Sequence, residues 1–450
     1  MTLMRLLLFV GWTSLFFMAQ SEASIKSTGQ LENKKKGQTP SKPFLNEVTK
    51  VWTKVGARVG WISAKSFRLG GDEGSKDEIP AFSCNKTTWQ AIVSNRLPEP
   101  EQVFGLHLQY AVESELKHLG RFKRLRSLDL SGVEYHDDGF GFFSVSPITI
   151  TKTGLKALAE LSQLQHLNLR RTKVADSELK GLAGGKQLRS LNLTDCKLTD
   201  AGLKHLANLK RLTWLSLNST YVTGTGLKEL KGLAELTTLD FSQGSASDVG
   251  LSGLKGLQQI QVLDLSQTNL SDIGMKELVE LENLRVLGLG QTLRVTKAGI
   301  KEISALTKLQ RLDLNSTQVS DAGLEELARL KDMRTLILRG TDVTDAGLKW
   351  VAKFAKLREL DLRGTKVGDL GMKELRGLKQ LENLCLQGSK ISDGGLKELM
   401  ALMNLKKLNV WETSVTDLGI RALQKKLPSV EIINRNTSPL PFFSPAVPVH

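Results

Sequence analysis

Cysteine is scarce in this chain: Cys84, Cys196 and Cys385 are the 3 in 450 residues. They lie far apart and match neither a disulfide framework nor zinc-ligand spacing, so no covalent or metal staple is expected to hold the fold. Proline is nearly missing from the interior, where only Pro147 interrupts the stretch between Pro100 and Pro428. Histidine numbers 6 and tyrosine 3, and no HExxH, GxSxG, phosphate-loop or dinucleotide fingerprint occurs. The common signatures of hydrolases, metalloproteases and nucleotide enzymes are therefore missing, and the chain reads as non-enzymatic, with no cofactor. Long hydrophobic runs are lacking too. The longest, the 14 residues from Leu6 to Ala19, is short for a membrane span. Finally, acid is in deficit: 47 Asp and Glu face 62 Lys and Arg, leaving a net charge of +15.

What the chain has instead is a repeat. Leu309 to Asp332 reads LQRLDLNSTQVSDAGLEELARLKD, and Met333 to Lys356 reads MRTLILRGTDVTDAGLKWVAKFAK, each 24 residues long. Starts fall at Leu164, Leu188, Leu212, Leu236, Ile260, Leu284, Leu309, Met333, Leu357, Leu381 and Leu405, always 24 apart except for one step of 25 after Leu284. Less regular starts at Val103 and Leu125 precede them, and Val430 to Ile433 closes the series. About thirteen units result.

Each unit carries two periods. LxLxL alternation at the front predicts a short strand, and GLKxLxxL behind it places apolar residues at helical spacing, as in Leu227, Leu230 and Leu233. Between them, Thr199-Asp200, Ser271-Asp272, Ser320-Asp321, Thr344-Asp345 and Thr416-Asp417 put a hydroxyl N-cap before an acid in the first helical turn. Helix capping explains the acid column Asp200, Asp248, Asp272, Asp321 and Asp345 more simply than calcium does. The glycine that follows, such as Gly202, Gly323 or Gly347, leaves room for a close neighbouring backbone. A threonine column after the strand (Thr172, Thr220, Thr268, Thr317, Thr341, Thr365, Thr413) offers hydrogen bonds to loop amides between repeats. Cys196 takes the same slot and reads as a structural residue, not a nucleophile. One strand and one helix cannot bury their apolar faces alone. Stacked units can, so an α/β solenoid with an inner parallel sheet and outer helices is expected.

The LxxLxL starts and the TxVTDxGLKxLxxL body resemble the leucine-rich-repeat family, over roughly Val103 to Ser429. The 24-residue form is similar to repeats of exported bacterial proteins, and the broader class is similar to those of F-box substrate adaptors. The resemblance implies a horseshoe and a protein- or ligand-binding role, and it transfers no catalytic residues. An F-box-like adaptor role would need an N-terminal helical box that is not recognisable here.

Along the chain, residues 1–23 look like a secretory signal peptide, with Arg5 before the apolar run and Ser21-Glu22-Ala23 at the cleavage positions. An uncleaved anchor is the alternative. Export to the periplasm, the cell surface or the medium follows. Residues 24–45 read as a flexible basic linker. Residues 46–102, with Trp52, Trp61 and Trp89, read as a cap on the open edge of the first repeat, or else as an independent ligand domain. The array is placed at residues 103–433, and residues 434–450 form a Pro-rich tail. The Leu125 unit holds an insertion at residues 133–147, VEYHDDGFGFFSVSP, whose Tyr135, Phe140, Phe142 and Phe143 are candidate contacts.

The expected binding surface is the inner face, whose residues are the third, fifth and seventh of each unit. Trp214, Asp240, Asp264, Arg311, Asp313, Arg339, Asp361, Arg363 and Trp411 are the candidates there, facing a protein or glycan. The bland reading is Arg and Asp pairing with each other across strands. A metal-dependent alternative rests on His107, Asp129, Asn168 and His166, with His136 and Asp138 from the insertion, although the spacing matches no metal motif. The lysine column Lys180, Lys204, Lys228, Lys276, Lys301, Lys349, Lys373 and Lys397 reads as a solvated outer face or a polyanion contact. Without a nucleic-acid module, nucleic acid is the weaker form of that contact.

Overall fold

The computed structural model describes residues 46–63, 67–69, 78–131 and 149–434. The leader, the linker, the insertion with its four aromatics, His136 and Asp138, and the tail beyond Asn434 lie outside these. The chain divides between Ser245 and Ala246 into two compact units.

In the first unit, Phe104–Leu108, Leu125–Asp129, His166–Asn168, Ser190–Asn192, Trp214–Ser216 and Thr238–Asp240 form a parallel ladder. The ladder starts before Val103. Ile79–Cys84 pairs in parallel with Phe104–Leu108, with Phe82 opposite Leu106 and Ser83 opposite His107, the same 24-residue offset. Arg58–Ile62 then runs antiparallel to Ile79–Cys84, and Phe67–Leu69 runs antiparallel to Arg58–Ile62. A register shift between Phe104 and Gly105 accommodates the shorter step to Leu125. Trp52, on the helix Asn46–Lys54, stacks on Phe82 with centroids 4.3 Å apart, and Phe104 and Phe122 complete the cluster. Its indole N–H donates to the Pro98 carbonyl at 2.9 Å, so the large ring is buried without an orphaned donor.

In the second unit, eight parallel strands of 3 residues run from Val262–Asp264 to Glu431–Ile433, each in register with the next. Within each unit the strand-borne leucines, such as Leu191, Leu215, Leu336 and Leu360, are fully buried. The helical side is less uniform than expected. Lys297–Ile303, Asp321–Leu327 and Asp345–Val351 are α-helices, but Asp200–Leu203 gives way to the 3-10 turn Lys204–Leu206, and Thr225–Leu230 is wholly 3-10.

Two repeat devices differ from expectation in their partners. Each column threonine donates its hydroxyl back to the carbonyl three residues earlier, as Thr220 does to Leu217 at 2.6 Å and Thr341 to Leu338 at 2.6 Å. The column thus satisfies a turn carbonyl in its own repeat, not the loop amides of a neighbour. Cys196 holds the same slot but bonds differently, its Sγ donating at 3.3 Å to the Leu169 carbonyl of the preceding repeat, which also accepts from Thr172. Asp200, Asp272, Asp321 and Asp345 do sit in the first helical turn, and Asp248 lies in the turn before the 3-10 segment Gly250–Leu254, but the carboxylates reach the next repeat. Asp272 accepts from Thr296 N–H at 2.7 Å, from Thr296 Oγ1 at 2.6 Å and from Gly299 N–H at 2.9 Å. Asp200, Asp248, Asp321, Asp369 and Asp393 repeat the pattern. What crowds the motif glycine varies: a Cβ on Gly347 would stand 2.3 Å from Asp321 Oδ1 and one on Gly202 2.4 Å from Asp176 Oδ1, whereas one on Gly226 would stand 2.5 Å from the Asp200 backbone oxygen and one on Gly323 would meet only the Val319 side chain within 3.4 Å.

Candidate binding surface

The inner face is built by the strand ends. At the fifth position of most units an Asp or Asn accepts the backbone N–H two residues on, closing the strand with an Asx turn. Asp264 takes Ser266 N–H at 2.9 Å, Asp313 takes Asn315 at 2.8 Å, Asp361 takes Arg363 at 3.0 Å and Asn409 takes Trp411 at 2.9 Å. In the first unit Asp240 bonds Ser242 in the same way, and its other oxygen accepts from Ser216 Oγ at 2.9 Å. The next residue but two lies in the left-handed region throughout, from Arg171 (φ 59°) to Glu412 (φ 56°), with glycine at 340, 364 and 388. That turn sends the chain off the face after each strand.

The candidate residues consequently divide. Asp240, Asp264, Asp313 and Asp361 are buried, and their oxygens are committed to strand ends. Arg311 is only 1% exposed, with Nη1 3.7 Å from Glu359 Oε2. Burial pulls the Arg311 pKa below the ordinary guanidinium range, against the pull of Glu359, Asp313, Asp361 and Asp264. Burial also raises the Asp313 pKa, opposed by the Asn315 N–H and by Arg311. Arg363 grips Asp361 through Nε at 3.0 and 2.9 Å. Burial works against its charge, but Asp361 prevails and its pKa rises. Cross-strand and same-strand ion pairing thus occupies much of the charge that the sequence placed on this face. Trp214 in the first unit, and Arg339, Arg363 and Trp411 in the second, remain half-exposed.

The histidines in the first unit stand in a different setting from a metal site. His107 Nδ1 lies 3.0 Å from Ser83 Oγ, its ring stacks on Phe67 at 5.2 Å, and burial lowers its pKa. His166 sits beside Arg189 and Arg126, and burial together with these two cations lowers its pKa to about 4. Two guanidiniums repel a cation, and among the described residues no group of three or more His, Cys, Asp or Glu converges on a metal position. Missed from the sequence was the row His166, Ser190, Trp214 and Thr238, whose members stand opposite one another on consecutive strands. Its signal is the third slot of four successive units, of which the sequence pattern alone marks Trp214 and His166.

Comparison with known proteins speaks to the fold. A family profile described as a leucine-rich repeat region matches residues 271–434, and one described as a leucine-rich repeat matches residues 187–207. No curated protein sequence matches the chain. An internalin from Listeria monocytogenes strain 4b F2365 is similar at 18% identity over 73% of this chain and 90% of that one, with a TM-score of 0.50. A leucine-rich-repeat protein from Leptospira interrogans is similar at 22% identity over 78% and 92%, with a TM-score of 0.45. The mouse RP105/MD-1 complex is similar at 20% over 73% and 59%, with a TM-score of 0.49. Parallel strands recur every 24 residues, residues 187–207 and 271–434 match leucine-rich-repeat profiles, and the chain has the leucine-rich-repeat fold that the internalin shares.

Proposed function

We propose that this chain is an exported, non-enzymatic binding protein that takes a protein or glycan on its inner sheet face. The observation that carries the reading is the contrast on that face. The acids, Arg311 and the Asp361-bound Arg363 are locked into the frame, while Trp214, Arg339 and Trp411 stand half-exposed on rigid strand ends. Aromatic and guanidinium groups held in place are the side chains that dominate binding energy when a partner buries them. Export rests on the leader at residues 1–23, and no helix among the described residues is long and apolar enough to cross a membrane. The residues 46–102 act as a cap on the sheet edge, and the exposed lysine column serves mainly solubility, with polyanion contact as its second use.

The test is a cross-linking pull-down from the host's extracytoplasmic fraction, using the mature protein, Trp214→Ala, and the double variant Arg339→Ala with Trp411→Ala. A partner retained by wild type and lost by either variant supports the reading and tells which unit holds the contact. A partner kept by both variants removes the inner face from the proposal.

A further inference from the structure

We propose that the row formed by His166, Ser190 and Trp214, flanked by Arg126 and Arg189, is a subsite for an acidic saccharide, a glycan segment bearing carboxylate or sulfate. The inference rests on the inner-face reading above and names the ligand chemistry at one place on it.

The row lies in the first unit. His166 faces Ser190, Ser190 faces Trp214 and Trp214 faces Thr238 on four consecutive parallel strands. At about 4.8 Å per strand, imidazole and indole stand on strands roughly 10 Å apart with the small Ser190 between them.

Hydrogen bonding sets this row apart from its surroundings. One step along the strands the polar groups satisfy each other. Thr194 and Ser216 hydroxyls are 2.9 Å apart, Ser216 donates to Asp240 at 2.9 Å, and Asn218 Nδ2 donates to Ser242 Oγ at 2.6 Å. In the row, His166 Nδ1, Ser190 Oγ and Thr238 Oγ1 are shielded from solvent and have no hydrogen-bond partner among the described residues. Ser190 is 2% exposed and Thr238 6%. A buried polar atom without a partner is costly, and three in one row around one aromatic mark a place where a ligand supplies the missing partners.

The surrounding chemistry selects the ligand. A pyranose has an apolar face that stacks on a half-exposed indole and a rim of hydroxyls that donate and accept. His166, kept neutral between two arginines, retains a ring lone pair for such a hydroxyl. Arg126 and Arg189 flank His166 from the strands on either side and are themselves half-exposed. No carboxylate lies within ion-pair distance of Arg126 among the described residues, and Arg189 reaches Glu235 only at 3.8 Å. Guanidiniums so placed pair with carboxylate or sulfate. A protein partner would need a larger apolar centre than this single indole supplies. Single-stranded RNA would need aromatic platforms for successive bases.

Calorimetric titration of the folded full chain with tetragalacturonate, a heparin tetrasaccharide, neutral maltotetraose and an oligouridylate tests the assignment. The expected result is saturable, salt-sensitive binding of at least one acidic sugar. It should be at least tenfold weaker for maltotetraose, for Trp214→Ala and for Arg126→Gln, with circular dichroism confirming that both variants fold. The Arg126 change touches a half-exposed side chain and keeps the test usable if Trp214→Ala does not fold. Binding of neither acidic sugar, equal binding of maltotetraose, undiminished binding by Arg126→Gln, or tighter binding of the RNA would each overturn the proposal. Failure here alongside a protein captured through Trp214 would leave the inner-face reading standing. Failure of both experiments would remove both.

Discussion

Glycine serves two separable purposes in this repeat, and substitution tells them apart. Gly364 has φ +62° with open space around a would-be Cβ, so alanine there meets only backbone strain. Gly364→Ala should cost about 1–2 kcal/mol, read as a shift in the urea midpoint. Gly347→Ala drives a methyl to 2.3 Å from Asp321 Oδ1, which the Thr344 N–H holds while the Thr344 hydroxyl holds Oδ2. Dislodging that carboxylate should cost about 3 kcal/mol or more, combining overpacking with lost charged hydrogen bonds. Equal effects would mean that the carboxylate yields freely. The cysteines give a second residue-level test. All three are buried, and burial raises the Cys196 thiol to about 11 and those of Cys84 and Cys385 higher still. Thiolate is the reactive form, so the native protein at pH 7.5 should resist iodoacetamide at all three and react fully once unfolded. Rapid native labelling of Cys196 would remove it from the threonine column's structural role.

At the scale of the element, the Thr-Asp-x-Gly turn is the joint between repeats, and its carboxylates make it pH-sensitive. Bonds from the Thr416 hydroxyl and N–H hold the Asp393 pKa below the ordinary aspartate range. At Asp200 burial opposes the shift, but bonds from Thr223, Gly226 and Gly224 outweigh it. A depressed folded pKa stabilises above the unfolded value of about 3.9, and this stability is lost as pH falls through the folded value. Unfolding in urea should therefore be easier at pH 3 than at pH 7, and Thr416→Val should narrow that difference by weakening its effect at pH 7 most. An unchanged difference would place the acid sensitivity elsewhere. The strands, the buried leucines and the N-caps Thr199, Ser271, Thr344 and Thr416 were legible because period and capping chemistry are local, whereas Ser320 stands at the cap position without making the cap bond. The reach of Asp272 to Thr296, a full repeat away, was not, since a sequence shows the acid beside its own helix and conceals the neighbour stacked on it. The split of the inner face was hidden for the same reason. Arg311 and Trp411 both read as face residues, and only the packing of adjacent strands tells a buried guanidinium from a half-exposed indole.

On the scale of the whole molecule, an array of stacked repeats is held by nearest neighbours, so an exposed terminal strand is its weak point. Here the antiparallel strand Arg58–Ile62 covers the edge of Ile79–Cys84, and the Trp52 cluster fastens the preceding helix beneath it. The degenerate start at Ile79 escaped the repeat pattern because Phe82 and Cys84 replace the leucines that mark other units, although their pairing offset is the same. Trp52→Ala removes a ring that is fully buried and should cost about 3–5 kcal/mol. Because coupling runs between neighbours, the damage should stay local. Hydrogen exchange should quicken from Arg58 to Leu130 while amides from Leu309 to Ile433 keep their protection. Uniform loss of protection would show that the array unfolds as one cooperative body. Unchanged exchange near Arg58 would show that the edge is held without Trp52, and residues 46–102 would then be better regarded as a separate ligand domain than as a cap.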